Sequence, residues 1–178
     1  MADDSDLWER IRMHDASAFE AFYRDEAGRL CAYLRRIVGD AQAAEDVMQE
    51  TFAQIWKSPN GFRPELGSLR GYLFGIGRRR AAEWWRRRAR LSEVLGEKSE
   101  EGSSEGTASF SAIGDAFSRL PEEQRSLLWL RVVEGQSYVE LAAILQIPVG
   151  TVKSRLFAAR EELRCIWRSS GNAARSKR

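Results

Sequence analysis

The sequence predicts an all-α chain of two small helical domains joined by a flexible linker. Three observations lead there. Apolar residues recur at intervals of three and four through residues 5–91 and again through 112–168, the repeat of helices with one buried face. Residues 92–111, SEVLGEKSEEGSSEGTASFS, are rich in Ser, Gly and Glu with few large apolar side chains, so they bury too little surface to offset chain entropy. No pair of alternating apolar–polar runs offers a sheet. The last segment, 169–178, ends in GNAARSKR and reads as a short, basic, disordered tail.

The first domain opens with one helix or a pair from Asp6 to about Val38, with Leu7, Ile11, Phe19, Phe22, Leu30, Leu34 and Ile37 on its apolar side. Asp15 can cap a break between two segments, and Gly39-Asp40 ends this part, with Asp40 placed to cap the next helix. That helix is AQAAEDVMQETFAQIWKS. Met48, Phe52, Ile55 and Trp56 fall at i, i+4, i+7 and i+8, a core face. Asp46, Gln49 and Glu50 share another face, which is either plain solvated surface or a docking surface for a basic partner. Pro59, Asn60, Gly61, Pro64 and Gly67 mark a loop, and Ser68 can cap a helix starting at Leu69 with Leu69, Tyr72, Leu73 and Ile76 facing a core.

Charge then becomes dense. Arg78, Arg79 and Arg80 are followed by Arg86, Arg87, Arg88 and Arg90, with Trp84 and Trp85 between them. So close a run of like charges repels itself unless an anion relieves it, and arginines on phosphates give a salt-sensitive affinity. Trp84 and Trp85 are either buried or free to stack on unpaired bases.

The second domain carries the most specific punctuation. Pro121 suits a first helical position, and Glu122 and Glu123 follow at the positive end of the helix dipole. Gly135 closes that helix. Ser137 and Glu140 have the spacing of a capping box, so a second helix starts near Tyr138 and carries Val139, Leu141, Ala142, Ile144 and Leu145. Gln146-Ile147-Pro148 breaks it, because the residue before a proline avoids the α region. A third helix runs from about Val149 past Arg164, with Val152, Leu156, Ala159 and Leu163 as its apolar stripe. Helix, short turn, helix is the layout that places a second helix in the major groove of DNA. The side away from the stripe presents Thr151, Lys153, Ser154 and Phe157 to base edges, with Arg155 and Arg160 on the shoulders within reach of phosphates. Ala158 is small on this exposed side. An ordinary three-helix bundle with a solvated basic face has the same pattern.

Composition bounds what else the chain does. The formal net charge of its 178 residues is only +2 with 30% charged residues, so DNA affinity has to come from local clusters. No apolar run approaches the ~18 residues of a membrane span, and the acidic start MADDSDLWER lacks the order of a signal peptide. A cytoplasmic protein with no membrane insertion is expected. Cys31 and Cys165 form no CxxC and His14 is the only histidine, so neither a zinc site nor a disulfide framework is supported and no cofactor is expected. Nucleophile-elbow, P-loop and dinucleotide-loop patterns are absent; Gly71, Gly75 and Gly77 sit in a helical, arginine-rich context. Enzyme chemistry is not expected.

Pro148-Val149-Gly150-Thr151-Val152-Lys153-Ser154-Arg155-Leu156, with Leu120-Pro121, Glu134-Gly135-Gln136-Ser137-Tyr138 and Glu140-Leu141-Ala142 before it, resembles region 4 of bacterial sigma factors, most closely the extracytoplasmic function (ECF) group. Ala44-Glu45-Asp46-Val47-Met48-Gln49-Glu50-Thr51-Phe52 with Ile55-Trp56 resembles region 2.2, and the segment through Arg90 resembles regions 2.3 and 2.4. The resemblance implies a non-enzymatic sigma factor that binds core RNA polymerase and promoter DNA. Its implied docking residues, on the clamp helices of the β′ subunit, are Asp46, Gln49 and Glu50, with Phe52 and Trp56 supporting the helix from the core. It implies that Arg78, Arg79, Arg80, Trp84, Arg86 and Arg87 engage the minus-10 element and its melted non-template strand. It implies minus-35 duplex contacts from Thr151, Lys153, Ser154, Arg155, Phe157 and Arg160, a contact with the β flap, and an anti-sigma factor as regulator. The chain departs from the pattern at Tyr72, where Trp is frequent, at Glu83, where Asp is common, and at Arg79, where an Asn usually borders the pocket for the flipped base. A stand-alone regulator of the LuxR type shares the helix-turn-helix module; it would begin with an alternating β/α receiver pattern, which this sequence lacks.

Overall fold

The computed structural model describes residues 4–95, 116–117 and 119–175; the expected linker falls almost entirely outside them. Seven α-helices are described: α1 (Asp4–Arg12), α2 (Ala16–Val38), α3 (Ala41–Lys57), α4 (Leu69–Leu95), α5 (Glu122–Val132), α6 (Tyr138–Leu145) and α7 (Val149–Arg175). Two 3-10 turns, Pro59–Gly61 and Pro64–Leu66, lie between α3 and α4. No strand is present among the described residues.

The local punctuation acts as the residues dictate. Asp15 caps α2 by accepting from the N–H groups of Ser17 and Ala18, and Asp40 caps α3 by accepting from Ala43. Ser137 and Glu140 form the reciprocal capping box at the start of α6. Gln146 takes a left-handed conformation, φ 56°, and ends that helix before Pro148. Pro121 precedes the first residue of α5 as its N-cap instead of occupying the first helical position. At the ends, both α4 and α7 run further than composition suggests. Helix α4 continues to Leu95, into the stretch read as linker, and α7 continues to Arg175, into the stretch read as a disordered tail. Glu93 and Leu95 in the continuation of α4, and Ala173, Ala174 and Arg175 in that of α7, lose little on entering a helix.

In the first block, α2, α3 and α4 pack on one another with α1 laid against α2 and α4. Ile11, Leu30, Leu34, Val47, Phe52, Ile55, Leu73 and Phe74 are buried there. The one polar core residue of α3, Thr51, donates its hydroxyl to the Val47 carbonyl at 2.7 Å. In the second block, Val152, Leu156 and Ala159 of α7 pack against α5 and α6 as their spacing predicts.

The two blocks also pack against each other. Their buried side chains form one continuous cluster, in which Leu141 and Ile144 of α6 join Leu69, Leu73 and Ile76 of α4. Helix α6 lies on α4 where α4 carries glycines at intervals of four. A Cβ added at Gly71 would stand 3.4 Å from the Gln136 carboxamide oxygen, and one at Gly75 would stand 3.7 Å from the Ile144 Cα. Polar contacts reinforce the seam. The buried hydroxyls of Tyr33 and Ser126 hydrogen-bond at 2.8 Å across the blocks, and the Arg36 guanidinium lies 4.0 Å from the ring centre of Trp129.

One carboxylate ties the two blocks end to end. Glu140 accepts from the Ser137 N–H at 2.7 Å within the capping box. It also accepts from the Ser68 N–H at 3.2 Å and from the Ser68 hydroxyl. Ser68 in turn caps α4 through the Gly71 N–H at 3.1 Å, while Asp4 of α1 accepts from the Leu69 N–H at 2.8 Å. Burial pushes the Glu140 carboxyl up, but these hydrogen bonds outweigh it and hold it below its ordinary range. A depressed folded-state pKa contributes stability that is present above the unfolded value, near 4.3, and is lost as pH falls through the folded value. Glu140→Ala is therefore expected to lower the stability of the packed chain by about 1–3 kcal/mol near neutral pH. The deficit relative to wild type should shrink below about pH 4, read from paired urea melts across pH. A deficit that stays constant to low pH would contradict this role for Glu140.

Candidate nucleic-acid and docking surfaces

Three surfaces on this frame hold the residues singled out by the sequence. The first is the outer face of α3. Asp46, Gln49 and Glu50 are exposed side by side there, as the i, i+3, i+4 spacing requires. Phe52 is 2% exposed, packed among Phe22, Phe19 and Tyr23, so it fixes the helix from beneath and offers no surface of its own. Trp56 is half-buried against Phe19 at 4.8 Å and His14 at 5.0 Å.

The second surface is α4 beyond Ile76, where the structure sorts the arginines by what they touch. Arg80 donates from Nε to Gln54 at 3.0 Å and approaches Glu50 at 3.5 Å; Arg87 approaches the same Glu50 oxygen at 3.9 Å. The acidic face of α3 and the basic face of α4 are thus one contiguous patch in which Glu50 already meets two guanidiniums. Arg78 turns toward the second block, near Glu122, whose carboxyl is pushed up by burial and lowered in part by Arg78 and Arg125. Together with Arg36, Trp85 and Arg125 it lines a cleft of about 460 Å³ between the blocks. Arg79 and Arg86 are exposed and form no hydrogen bond or ion pair through their side chains among the described residues. The tryptophans also divide. Trp85 is half-buried and donates its indole N–H to the Ile37 carbonyl at 3.1 Å, which makes it a strut between α4 and the end of α2. Trp84 is half-buried edge-on to Trp85 at 5.0 Å, with Arg88 5.3 Å from its ring centre.

A smaller cavity, about 190 Å³, opens beside this surface. Phe62, Arg63, Tyr72 and Arg79 of the first block line one side, and Ala143 and Ile144 of α6 roof it. Phe62 is buried against Trp8 at 5.3 Å, and Tyr72 lies 5.7 Å from both. A side chain at Gly61 would collide with the Tyr72 hydroxyl, so glycine there lets the loop close over the ring.

The third surface is the first three turns of α7. Lys153, Ser154, Arg155, Phe157 and Arg160 are exposed and Thr151 is half-exposed, all near a helix N-terminus, where oriented N–H groups favour anions. The Ser154 hydroxyl donates back to the Thr151 carbonyl at 3.0 Å, leaving its lone pairs outward. Lys153 lies 5.9 Å and Arg131 5.0 Å from the ring centre of Tyr138, which positions both cations beside the start of α6. Arg155 approaches Glu123 at 3.9 Å, an exposed pair of little energetic weight. Phe157 is 68% exposed, unusual for a phenylalanine in an otherwise well-packed helix.

Sequence reasoning placed all three surfaces but missed what joins them: the Ser68–Glu140 link, the Glu50 contacts with Arg80 and Arg87, and the buried Glu26, which accepts three hydrogen bonds from Arg70 at 2.7–2.9 Å. The four-residue spacing of Gly67, Gly71 and Gly75 was the one available sign that a second helix approaches α4.

Comparison with known proteins bears on both blocks. Residues 22–91 match the family Sigma-70 region 2, and residues 110–163 match Sigma-70, region 4. The RNA polymerase sigma-H factor of Pseudomonas aeruginosa is 30% identical over 179 residues, covering 90% of this chain and 91% of that protein. The ECF RNA polymerase sigma factor SigL of Mycobacterium tuberculosis is 32% identical over 165 residues, covering 88% and 93%. Among solved structures, the sigma factor RpoE in complex with the anti-sigma factor NepR from Bartonella quintana aligns with a TM-score of 0.68 at 25% identity, over 84% of this chain and 96% of that one. CnrH in complex with the cytosolic domain of CnrY shares the fold, with a TM-score of 0.67 at 24% identity, over 93% and 97%.

The division of α4 predicts opposite phenotypes for neighbours. Trp85→Phe is expected to cost about 1 kcal/mol of stability and leave DNA affinity intact. Arg86→Ala should leave the melting temperature unchanged and reduce the slope of log affinity against log salt by about one. Thermal melts and salt titrations of DNA binding separate the two; a salt slope that responds to Trp85→Phe and not to Arg86→Ala would reverse the assignment.

Proposed function

Because this chain belongs to the ECF group of sigma factors, which direct transcription initiation by RNA polymerase, we propose that its two packed blocks separate on the polymerase and read a promoter at two points. The observation that carries this is the pairing of two exposed, oppositely specialised surfaces, the arginine-bearing α4 and the N-terminal turns of α7, on blocks joined by a long connection. Two weak contacts on one DNA give an avidity gain when the spacing of the sites matches the connection.

In this reading Asp46, Gln49 and Glu50 dock on the core polymerase, at the β′ clamp helices, with Phe52 and Trp56 holding α3 in place. The contact offers an anionic, hydrogen-bonding face to a basic partner. Taking up Glu50 there also loosens its hold on Arg80 and Arg87 and returns both guanidiniums to phosphate. Arg78, Arg79, Arg80, Arg86 and Arg87 engage the minus-10 element, and Trp84 supplies a ring face beside the melted non-template strand. Strand opening is driven by binding energy for unstacked bases, at a cost of a few kcal/mol per base. Lys153, Ser154, Thr151 and Phe157 read base edges of the minus-35 duplex, Arg155 and Arg160 hold phosphates, and the second block touches the β flap.

An anti-sigma factor is the proposed regulator, in keeping with the complexes in which similar sigma factors occur. The chain works by binding and positioning, with no covalent step and no cofactor, in the cytoplasm. Among the described residues no single helix is long and apolar enough to cross a membrane. A stand-alone LuxR-type regulator is not favoured, because the full-length relatives are polymerase subunits by name along both blocks.

Promoter-specific run-off transcription with core polymerase tests the reading, and a cross-link tests the separation. In a chain carrying Cys31→Ser and Cys165→Ser, Gly75→Cys with Ile144→Cys places two thiols across the seam within disulfide reach. The oxidised protein is expected to give little or no transcript and to recover on reduction; full activity while oxidised would show that the blocks need not part. Lys153→Ala with Ser154→Ala should cost about 1–3 kcal/mol of discrimination at the minus-35 element. Unchanged promoter choice would move the recognition surface elsewhere.

A further inference from the structure

We infer that Arg79 makes guanine the preferred base at the cavity beside α4, where the sigma-factor reading puts the unpaired base of the minus-10 element. The inference rests on the sigma-factor reading and adds a specificity determinant to it. Three observations meet at one place. The cavity, about 190 Å³ in the packed chain, lies between the loop before α4 and α4 itself. Phe62 and Tyr72 give it an aromatic side, and a ring face is what an unstacked base loses on leaving the helix and regains by stacking on protein. At its mouth stands Arg79, whose guanidinium is close enough to draw the Tyr72 phenol down against the effect of burial.

Arg79 differs from Arg78, Arg80, Arg87 and Arg88 in its surroundings. Arg80 and Arg87 meet Glu50, Arg78 faces Glu122, and Arg88 covers Trp84. Arg79 has no hydrogen-bond or ion-pair partner among the described residues, and unlike Arg86 it stands at the edge of the cavity. Its five N–H groups are donors in a fixed fork and it has no acceptor. The complementary edge is one with two adjacent acceptors. Guanine presents O6 and N7 in that arrangement, and Arg to O6 and N7 is the commonest base-specific side-chain contact. Adenine sets an amino donor beside N7, which opposes a donor fork, and thymine has a single acceptor with a methyl group beside it on the corresponding edge. Cytosine, once unpaired, could offer its ring nitrogen and carbonyl, but its single ring covers less of Phe62 and Tyr72 than a purine does.

Phe62, Tyr72 and Arg79 all belong to the first block, so they stay together when the second block moves to its own element. Ala143 and Ile144 only roof the cavity in the packed chain.

The test uses the reconstituted holoenzyme in run-off transcription from promoters in which each melted non-template position carries each of the four bases in turn. Wild type should prefer guanine by on the order of ten-fold at one position. 7-deazaguanine there, which lacks the N7 acceptor, should abolish most of that preference. Arg79→Ala should reduce the preference to within about two-fold and become indifferent to 7-deazaguanine, with Arg79→Lys intermediate. Arg79 is exposed, so these variants are expected to fold as wild type does, and the 7-deazaguanine arm needs no variant. A holoenzyme that initiates but prefers another base, cytosine included, or that keeps its guanine preference in Arg79→Ala, overturns the inference and leaves the sigma-factor reading standing. A chain that supports no initiation on any template overturns both.

Discussion

Glu140 accepts from the N–H of the N-cap residue of one helix and holds the residue that caps another. Its carboxylate closes the capping box of α6 on Ser137 and takes both the N–H and the hydroxyl of Ser68, the cap of α4. Helix N-termini leave four donors without intrahelical partners, and each buried one costs free energy unless something accepts from it. With the two helix starts anchored to the same side chain, α6 can lie only along the glycine face of α4. That places Leu141 and Ile144 against Leu69, Leu73 and Ile76, and the rest of the continuous core follows. Gly67 belongs to the same constraint: its φ of 144° suits glycine alone, and a Cβ there would press on the Glu140 side chain at 3.0 Å.

The same seam explains how charge is distributed. A chain with net charge of only +2 cannot attract DNA by its overall field. Its basic residues are concentrated on α4 and α7, and the packed state quiets part of that charge internally. Glu50 meets Arg80 and Arg87, Glu122 lies near Arg78, and Glu123 meets Arg155. These are exposed or half-exposed contacts at 3.5–3.9 Å where a distance is defined, weak enough for a polyanion or a docking partner to replace. By contrast, Arg70 gives Glu26 three short hydrogen bonds at a nearly buried carboxylate, a structural pair that no ligand would displace cheaply. The arginines therefore divide by burial and partner, not by position in the run.

The fold class, the helix boundaries near Asp15, Gly39, Asp40, Ser68, Ser137 and Pro148, and the core stripe of α7 were all legible beforehand, because each rests on residues within one or two helical turns of each other. The shared exposed face of Asp46, Gln49 and Glu50 on α3 was legible for the same reason. Less legible were the helix ends at Leu95 and Arg175, where composition favours solvent and helix about equally. Trp84 and Trp85 could not be told apart, because adjacent residues on a helix point in different directions and only the position of the Ile37 carbonyl decides which indole is anchored.

By itself, the sequence determined the helices, their caps, their buried faces and the three surfaces they present, since those follow from periodicities of three and four residues and from side chains acting on their own backbone. Tertiary structure alone decided that the two blocks share a core, that Ser68 and Glu140, 72 positions apart, meet, and that Arg79, with no hydrogen-bond or ion-pair partner among the described residues, stands at the edge of a cavity lined by Phe62 and Tyr72. The reason is physical. Packing between helices depends on where glycines allow backbones to approach and on which polar groups remain unsatisfied after the local bonds are made, and neither is a property of any one segment.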